Sequence, residues 1–426
     1  MIWTRTSPWD GHVTWSGAEE DPLPAVDAVA GAPWWPVPER RSALERLAAV
    51  LTARRAEAVD LLIREAGKVR RDAEAEADLL PKKIQVTLAE GWRRYPPEPV
   101  DGLCWRPRGL AVVLGPFNFP LHLLHGLVVP ALAMGNPVVA KPSERTPALG
   151  AWYRERIREA GLEDRCRVVL GGPATAAALV ADPRVATVAA VGSRPMGLAL
   201  SRALAGRPEV VLALELGGIG HVLMAEDADL EAAAPVLAEG AWRMAGQRCN
   251  ATRIVHVPRA QVKGLQDRLS VLRQLWMTGD TPEAAMGPLI DGDQRDRFIR
   301  GLASLAQVQT RGRAAAEPVL VVTEGSEVLA QEHFGPLLAL IPYDDQAVAV
   351  ARMALNPARL SGAIWTRDPA RFAALAPQLP YGCLGWNRST SGARSDQPFG
   401  GCGIAGNGRP AAVAAGAIFA DETVWG

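Results

Sequence analysis

The chain has 426 residues, 48% of them hydrophobic, and its 46 basic residues balance 46 acidic ones. This length predicts two domains, and the balanced charge excludes the electrostatic footprint of a protein that binds nucleic acid or an anionic membrane surface. No apolar run reaches the roughly 18 residues of a membrane span, and the first residues lack a secretory leader. We therefore expect a soluble cytoplasmic protein with a small-molecule ligand and no nucleic-acid or membrane partner.

Residues 39–95 predict long amphipathic helices, since Leu44, Leu47 and Leu51 recur at helical spacing among many Arg and Glu residues. From residue 103, short β-branched runs alternate with helical stretches, which is typical of a parallel α/β sheet. The predicted strands of this first series are 111–114, 137–140, 167–170, 185–191 and 210–214. Segment 91–109 is rich in proline and predicts a hairpin or arm that projects from the first domain.

A second α/β series is predicted after residue 249. Its strands are 253–257, 319–322, 337–341 and 362–366, and its helices are 260–275, 345–355 and 368–378. The five cysteines form an odd set without paired spacing, which favours reduced thiols. Neither they nor the six histidines show metal-ligand spacing, so we predict no metal.

Cys249 stands between an arginine and an asparagine in AGQRCNATR, whereas a structural thiol usually has apolar neighbours. A thiolate favoured by nearby positive charge or helix amides would be a nucleophile. Glu215 ends an apolar strand before two glycines, where a carboxylate with a raised pKa suits a general base for water. Asn118 lies in a tight turn of GPFNFP and could donate to a developing oxyanion. Each of these residues also has a purely structural interpretation: Cys249 as an inert thiol, Glu215 as a strand cap and Asn118 as a turn residue.

A nucleotide site is the second prediction, although the fingerprint GxGxxG is absent. Gly192 and Ser193 lie between a strand and a helix start, where amides and a hydroxyl could hold a pyrophosphate. Lys141 and Glu144 follow another strand and suit the two hydroxyls of a ribose; the carboxylate would repel a 2′-phosphate. Alternatively, Gly192 and Ser193 form only a turn, and Lys141 and Glu144 lie in a solvated loop.

Eight segments occur in the order and near the spacing of the NAD(P)-dependent aldehyde dehydrogenases: GPFNFP, GNPVVAKPSE, VGSRPMG, LELGG, AGQRCN, MGPLI, EHFGP and PFGGCGIAGNGRP. The chain resembles this superfamily over about residues 40 to 420. Within it, EAGKVRRDAEAEADLLPKKI and WNRSTSGARSDQPFGGCGIAGNGRP resemble segments of the succinylglutamate semialdehyde dehydrogenases. That subgroup implies a semialdehyde substrate and a place in arginine catabolism.

The resemblance implies an aldehyde dehydrogenase-like α/β fold with two Rossmann-like parallel α/β domains and a small β oligomerisation arm. Residues 1–96 and 110–217 would form the NAD-binding domain and residues 218–405 the catalytic domain. Residues 97–109 and 406–426 would form the oligomerisation arm and bridging segment. In the family these segments exchange between subunits, which implies a homodimer or homotetramer.

The resemblance also implies the reaction: NAD-dependent oxidation of an aldehyde to a carboxylic acid through a thiohemiacetal and a thioester on Cys249. Glu215 would activate the deacylating water, and Asn118 with the Cys249 amide would form the oxyanion hole. NAD is the expected cofactor, with NADP possible. The implied cofactor residues are Pro116, Phe117, Lys141, Glu144, Gly192, Ser193, Gly217, Glu332 (at the nicotinamide ribose) and Phe334 (beside the nicotinamide).

The substrate tunnel is expected next to the nucleophile, on the helix after Asn118 and in a late loop. Its implied residues are His122, Leu123, Gly126, Trp242, Arg248, Asn250, Ser391 and Gly392. His122 could instead face a carbonyl, and Trp242 could belong to the core. A succinylated semialdehyde carries two carboxylates, which favours a cationic lining; Arg388 and Arg394 are candidates, although both could be solvated.

The chain also departs from the family pattern. Ile219–Gly220 replaces the usual asparagine after two glycines, the N-terminal hairpin before about residue 10 is missing, and the stretch from Met286 to Glu332 is compressed. The alternatives are an aldehyde dehydrogenase for another aliphatic or aromatic aldehyde, a hydrolase or coenzyme A-acylating enzyme that uses the same thiol, and a non-catalytic NAD-binding member. A hydrolase would need a histidine partner, and His256 lies on a predicted strand with no clear reason to face Cys249.

Overall fold

The computed structural model describes residues 2–325 and 327–424. Two six-stranded sheets with helices packed around them form the body of these residues, so the predicted α/β class is confirmed. No helix in the two ranges is long and apolar enough to cross a membrane. The first residue of predicted segment 1–96 and the last two of 406–426 lie outside the described residues.

A hairpin and a group of helices precede the first sheet: β1 (Ile2–Thr6), β2 (Val13–Ala18), α1 (Leu23–Ala30), α2 (Val37–Ala53), α3 (Arg55–Ala66), α4 (Arg70–Val86) and α5 (Trp92–Arg94). The hairpin corrects our expectation that none precedes residue 10. Its strands pair antiparallel, and Trp3 packs edge to face on Trp15 at 4.8 Å between ring centroids. The amphipathic pattern is confirmed, since Leu44, Leu47 and Leu51 are buried in the core beside the first sheet.

The next elements are β3 (Leu103–Pro107), β4 (Leu110–Leu114), α6 (His122–Ala133), β5 (Val138–Lys141), α7 (Pro147–Glu159), β6 (Cys166–Val168), α8 (Pro173–Ala181), β7 (Val185–Val191), α9 (Arg194–Ala203) and β8 (Val211–Glu215). Every strand among them except β3 belongs to the first sheet. All five predicted strands are confirmed, and they run parallel in the order β8-β7-β4-β5-β6. Because the order reverses beside β4, a crevice opens at the carboxyl ends of the strands, where α/β proteins bind ligands.

The second half of the chain contains β9 (Gly220–Met224), α10 (Leu230–Trp242), β10 (Thr252–Pro258), α11 (Val262–Leu275), α12 (Gly292–Leu302), β11 (Thr310–Arg311), β12 (Ala315–Ala316), β13 (Val319–Val322), β14 (Leu337–Tyr343), α13 (Gln346–Ala354), β15 (Ala358–Arg359), β16 (Ser361–Trp365), α14 (Pro369–Leu375) and β17 (Cys383–Trp386). All of these strands except β11, β12 and β15 form the second sheet. Its strands are parallel in the order β13-β14-β10-β9-β16-β17. The strands and helices predicted after residue 249 are confirmed. Our prediction missed β9, α12 and β17.

The chain closes with β18 (Pro398–Phe399), β19 (Cys402–Gly403), β20 (Gly406–Asn407), β21 (Ala411–Ala412), α15 (Gly416–Phe419) and β22 (Ala420–Val424). The predicted arm at 91–109 contains β3, which pairs antiparallel with β22 of the same chain. Val100 and Leu103 within this segment also form an antiparallel bridge. β20 joins the first sheet beside β8, although we assigned residue 406 onward to the arm. The division into domains stays a proposal.

Candidate active site

A cavity of about 1300 Å³ lies where the carboxyl ends of the first sheet face the second half of the chain. Residues that follow β4, β5, β7 and β8 line one side, and the segments before β10 and β14 line the other. The cavity brings together most of the predicted residues: Pro116, Phe117, Asn118, His122, Leu123, Gly126, Lys141, Glu144, Gly192, Ser193, Glu215, Gly217, Arg248, Cys249, Asn250, Glu332, Phe334, Gly392 and Arg394. It does not include Trp242, Arg388 or Ser391.

Cys249 reaches the cavity from a strained turn between α10 and β10. Met244, Ala245 and Gly246 have left-handed φ values of 58°, 51° and 65°, a conformation that costs free energy at non-glycine residues and is common at functional sites. The buried Arg253 guanidinium holds this turn by donating to the carbonyls of Gly246 and Gly335. Burial, and then two nearby carboxylates, raise the pKa of the Cys249 thiol to about 12.

Asn118 is fixed close to this turn. It lies after β4 in the segment that leads into α6, and its Nδ2 donates to the Gln247 carbonyl at 3.1 Å. Gln247 is in turn held by its Oε1, which accepts from the Ile290 amide at 3.0 Å. One amide hydrogen of Asn118 therefore fixes the side chain against the residues just before Cys249, and the other is available in the cavity.

Glu215 is the last residue of β8, and its carboxyl group is buried at the cavity wall. Its Oε1 has no hydrogen-bond partner. Burial raises the pKa of Glu215 to about 8, and the Arg409 charge opposes this shift. A buried carboxyl that titrates near neutral pH is suited to proton transfer.

The predicted ribose pair lies at the end of β5. Lys141 is buried, and its Nζ donates to the carbonyls of Gly171 at 2.8 Å and Pro142 at 3.0 Å. Glu144 is half-buried in the cavity wall, and its Oε2 lies 3.4 Å from the Lys141 Nζ. Burial lowers the pKa of Lys141, and the charge of Glu144 acts in the opposite direction.

The predicted pyrophosphate site lies at the start of α9. Ser193 is its N-cap residue, and the Ser193 hydroxyl accepts from the Met196 amide at 3.4 Å. Gly192 precedes it at the end of β7, and both residues face the cavity. The first amides of α9 are therefore directed toward a position that suits an anion.

Glu332 faces the first sheet from the other side. Its Oε1 accepts from the Gly218 amide at 3.2 Å, and burial raises the pKa of Glu332 to about 7. Gly217 has a left-handed φ of 96°, and a Cβ at this residue would overlap the Glu332 carboxylate. A Cβ at Gly218 would lie 2.7 Å from the Cys249 carbonyl oxygen. The two glycines after Glu215 therefore let both Glu332 and Cys249 approach the end of β8.

The sequence pattern of the Aldehyde dehydrogenase family matches residues 22–421. The chain belongs to the aldehyde dehydrogenase family. The N-succinylglutamate 5-semialdehyde dehydrogenase of Sphingopyxis alaskensis is 36% identical over 439 residues, covering 95% of this chain and 90% of that one. A solved lactaldehyde dehydrogenase gives a TM-score of 0.91 at 26% identity over 100% of this chain and 95% of its own. The NADP-dependent glyceraldehyde-3-phosphate dehydrogenase of Bacillus halodurans C-125, complexed with NADP, gives 0.91 at 25% identity over the same shares.

These comparisons confirm the resemblance inferred from the sequence. This aldehyde dehydrogenase is an oxidoreductase that acts on an aldehyde, and its cofactor is a nicotinamide dinucleotide. No group of three or more His, Cys, Asp or Glu side chains in the described ranges could hold a metal ion.

Three predicted substrate residues of the aldehyde dehydrogenase lie elsewhere. Trp242 is fully buried in the hydrophobic core of the second half, because the inward face of α10 packs on the sheet there. The Ser391 hydroxyl is bonded to the Ser389 hydroxyl at 2.8 Å instead of facing the cavity. Arg388 is exposed, with its side chain against the backbone at Gly385. Arg394 lines the cavity but is exposed and bonded to Asp396.

Other residues of the site were missed from the sequence. Arg253 lies in a β-branched run that predicts a strand and no function. Gln247 belongs to no sequence pattern that would indicate a role in the site. Lys83 lines the cavity from α4, where the pair Lys82–Lys83 reads as a solvated helix face. The one available signal was the spacing of Lys83 from Leu80 and Ile84, which places it on the buried face of the helix.

Proposed function

We propose that the chain oxidises a carboxylate-bearing semialdehyde, such as N-succinylglutamate 5-semialdehyde, to the corresponding acid with NAD as the preferred cofactor. The observation that carries the proposal is the convergence of Cys249, Asn118 and the unpartnered carboxyl of Glu215 on one cavity. The substrate is suggested by the name of the Sphingopyxis alaskensis relative.

The residues around the cavity suit a nicotinamide dinucleotide. Glu144 and Lys141 offer acceptors and a donor for a ribose, α9 offers an N-terminus with Ser193 for a pyrophosphate, and Glu332 offers acceptors for the second ribose. The negative Glu144 supports NAD over NADP, since it would repel a 2′-phosphate. When bound, the nicotinamide ring would accept the hydride lost from the thiohemiacetal carbon, which leaves a thioester on Cys249.

The first step is attack of the Cys249 Sγ on the aldehyde carbon, which forms the C–S bond of a thiohemiacetal. The thiol proton must leave, because only the thiolate is nucleophilic and burial keeps the pKa of Cys249 at about 12. Glu215, with a pKa of about 8, is the proposed acceptor of this proton. The free amide hydrogen of Asn118 and the Cys249 backbone amide donate to the oxygen that becomes negative.

The second step is hydrolysis of the thioester on Cys249. Glu215 first releases the thiol proton to solvent. The carboxylate then takes a proton from water, the resulting hydroxide adds to the thioester carbon, and the C–S bond breaks to release the carboxylic acid and the thiolate. The free Oε1 of Glu215 is available to bind this water. The presence of Glu215 as a base for water also supports hydrolysis of the thioester over transfer of the acyl group to coenzyme A.

A hydrolase mechanism with a Cys–His pair finds no support in the position of His256. Its Nε2 is 3.2 Å from the His221 Nδ1 on the neighbouring strand, inside the second sheet. Burial lowers the pKa of His256 to about 3. The homodimer or homotetramer and the cytoplasmic location stay predictions.

The direct test is NADH formation by the purified protein with NAD and a panel of aldehydes, beside a Cys249→Ala control. The panel runs from short aliphatic and aromatic aldehydes to N-succinylglutamate 5-semialdehyde. We expect turnover that depends on Cys249 and is fastest with the succinylated substrate. Turnover with other aldehydes alone would contradict the substrate proposal, and NADH binding without any turnover would favour a non-catalytic member of the family.

A further inference from the structure

Lys83 is a buried cation on the wall of the cavity. It lies on α4 beyond Pro81, its side chain is buried, and its Nζ donates to the Ala412 carbonyl at 3.0 Å. Ala412 itself has a left-handed φ of 58°. An ammonium group has three N–H donors, so two donors of Lys83 have no protein acceptor within the described residues.

The charges around Lys83 leave it without a counter-ion. The neighbouring charged side chains of this part of the cavity form their own pairs, which are Asp72 with Arg243 at 2.6 Å, Glu76 with Lys68 at 2.5 Å and Arg394 with Asp396 at 2.6 Å. Arg248 is also buried, but its Nη2 donates to two carbonyls of α10, those of Glu239 and Gly240. No carboxylate of the described residues pairs with Lys83, and an unpaired buried charge is costly.

His122 presents a second unused polar atom close to Lys83. It begins α6, its Nδ1 is buried without a hydrogen-bond partner, and its ring lines the cavity. Gly126 follows one turn later on the same face of α6, and the Lys83 Cε lies 4.0 Å from the position that a Cβ at Gly126 would take. The Lys83 stem therefore runs alongside this face of α6, within van der Waals distance of the position of such a Cβ.

We propose that Lys83 and His122 form a carboxylate-binding subsite that makes the enzyme select aldehydes carrying a remote carboxylate. Two N–H groups of the Lys83 ammonium and the His122 ring would donate to the carboxylate oxygens, and the substrate would supply the missing counter-ion. This assignment rests on the proposed function and replaces our earlier candidates Arg388 and Arg394.

The ionisation of both groups is compatible with this role. Burial lowers the pKa of Lys83 to about 8, so the ammonium form persists at neutral pH. Burial, followed by the charges of Lys83 and Lys68, lowers the pKa of His122 to about 3, so the imidazole stays neutral and donates from one ring nitrogen only. A bound carboxylate would favour the charged Lys83 further.

The test compares 5-oxopentanoate with its methyl ester, which has the same five-carbon chain without the negative charge, in the wild type, Lys83→Gln and Lys83→Arg. Lys82→Gln is the matched control, since Lys82 is the exposed neighbour on the same helix. We expect Lys83→Gln to lower kcat/KM for 5-oxopentanoate by roughly tenfold to a hundredfold, mainly through KM, as loss of a charged hydrogen bond does. The methyl ester should change by less than about threefold, and Lys83→Arg should recover part of the loss. Equal losses for both aldehydes would overturn the subsite.

A binding measurement keeps the subsite testable apart from turnover. Glutarate should raise the melting temperature of the wild type and of Lys82→Gln, but not that of Lys83→Gln. If the wild type oxidises no aldehyde while glutarate still stabilises it through Lys83, the proposed function fails and the subsite holds. Equal stabilisation of the wild type and Lys83→Gln would overturn the subsite, and a cooperative melt of Lys83→Gln shows that this variant folds.

Discussion

Single residues set the acid–base chemistry of this aldehyde dehydrogenase through burial. Glu215 and Cys249 both face the cavity, and burial is the largest cause of the raised pKa of each. A raised pKa makes Glu215 a stronger base than an exposed glutamate and makes the Cys249 thiol dependent on a neighbouring base. The pair is therefore expected to act as one proton-transfer unit.

This arrangement predicts the pH dependence of the rate. Below its pKa of about 8, Glu215 is protonated and cannot take a proton from the thiol or from water. Above this pH, Glu215 is a carboxylate and can accept that proton. The rate at saturating aldehyde should therefore rise with pH and level off above about 8. Stopped-flow and steady-state rates of NADH formation, measured from about pH 6 to about pH 10, would give this pH dependence. Glu215→Asp should keep a rising limb, and a wild-type rate independent of pH would contradict the assignment.

At this scale the sequence predicted the groups whose chemistry is unusual for their position. Cys249 among polar neighbours and Glu215 before two glycines were visible because their residue types conflict with an ordinary core or turn. Lys83 was not predicted, because a lysine on a helix is usually solvated. Its spacing from Leu80 and Ile84 was the one sign of burial, and its acceptor, the Ala412 carbonyl, lies far along the chain. Trp242 was misplaced because its proximity to the nucleophile in sequence does not fix which way α10 faces.

Among the elements, α4 positions the helix that follows Asn118. The Glu76 Oε1 accepts from the amides of Leu121 and His122 at 3.0 and 2.9 Å, at the start of α6. The other carboxylate oxygen pairs with the Lys68 ammonium at 2.5 Å, and both side chains are almost fully buried. Lys68 also lies 4.2 Å above the Phe119 ring.

Glu76→Gln should lower the free energy of unfolding by about 3–5 kcal/mol, because it leaves the buried Lys68 charge unpaired while an amide oxygen still accepts from α6. Urea unfolding followed by circular dichroism measures this change. Asp78→Asn is the matched control on the same helix: its carboxylate forms an exposed pair with Arg55, and its loss should cost less than about 1 kcal/mol. Similar effects of the two variants would contradict a structural role for the buried pair.

Element prediction succeeded where the pattern was local. The parallel strands β4, β5 and β7 are continuous runs of buried β-branched and small residues and were found near their bounds. The hairpin β1–β2 was missed because its strands mix polar residues with tryptophans and bury little on either face. β9 was missed because two glycines come shortly before it and a third is its first residue, a pattern that predicts a turn.

On the scale of the whole molecule, the site exists only where the two halves meet. Asn118 follows one strand of the first sheet and Glu215 ends another, whereas Cys249 and Glu332 come from segments beside the second sheet. The sequence predicted that these residues act together because they complete one reaction, and the family resemblance supplied their order. Neither gave the distances, since contacts such as Asn118 with Gln247 depend on how the two sheets pack.

The most direct test of this account is a rapid-mixing measurement of NADH with NAD, aldehyde and the Glu215→Gln variant. We expect NADH up to one equivalent per active site, formed more slowly than in the wild type because the thiol has lost its proposed proton acceptor. Almost no turnover should follow, with the acyl group found on Cys249 by mass spectrometry of the intact protein. That result would show that Cys249 is acylated and that hydrolysis needs Glu215. Sustained turnover near the wild-type rate, or an acyl group on any other residue, would contradict it.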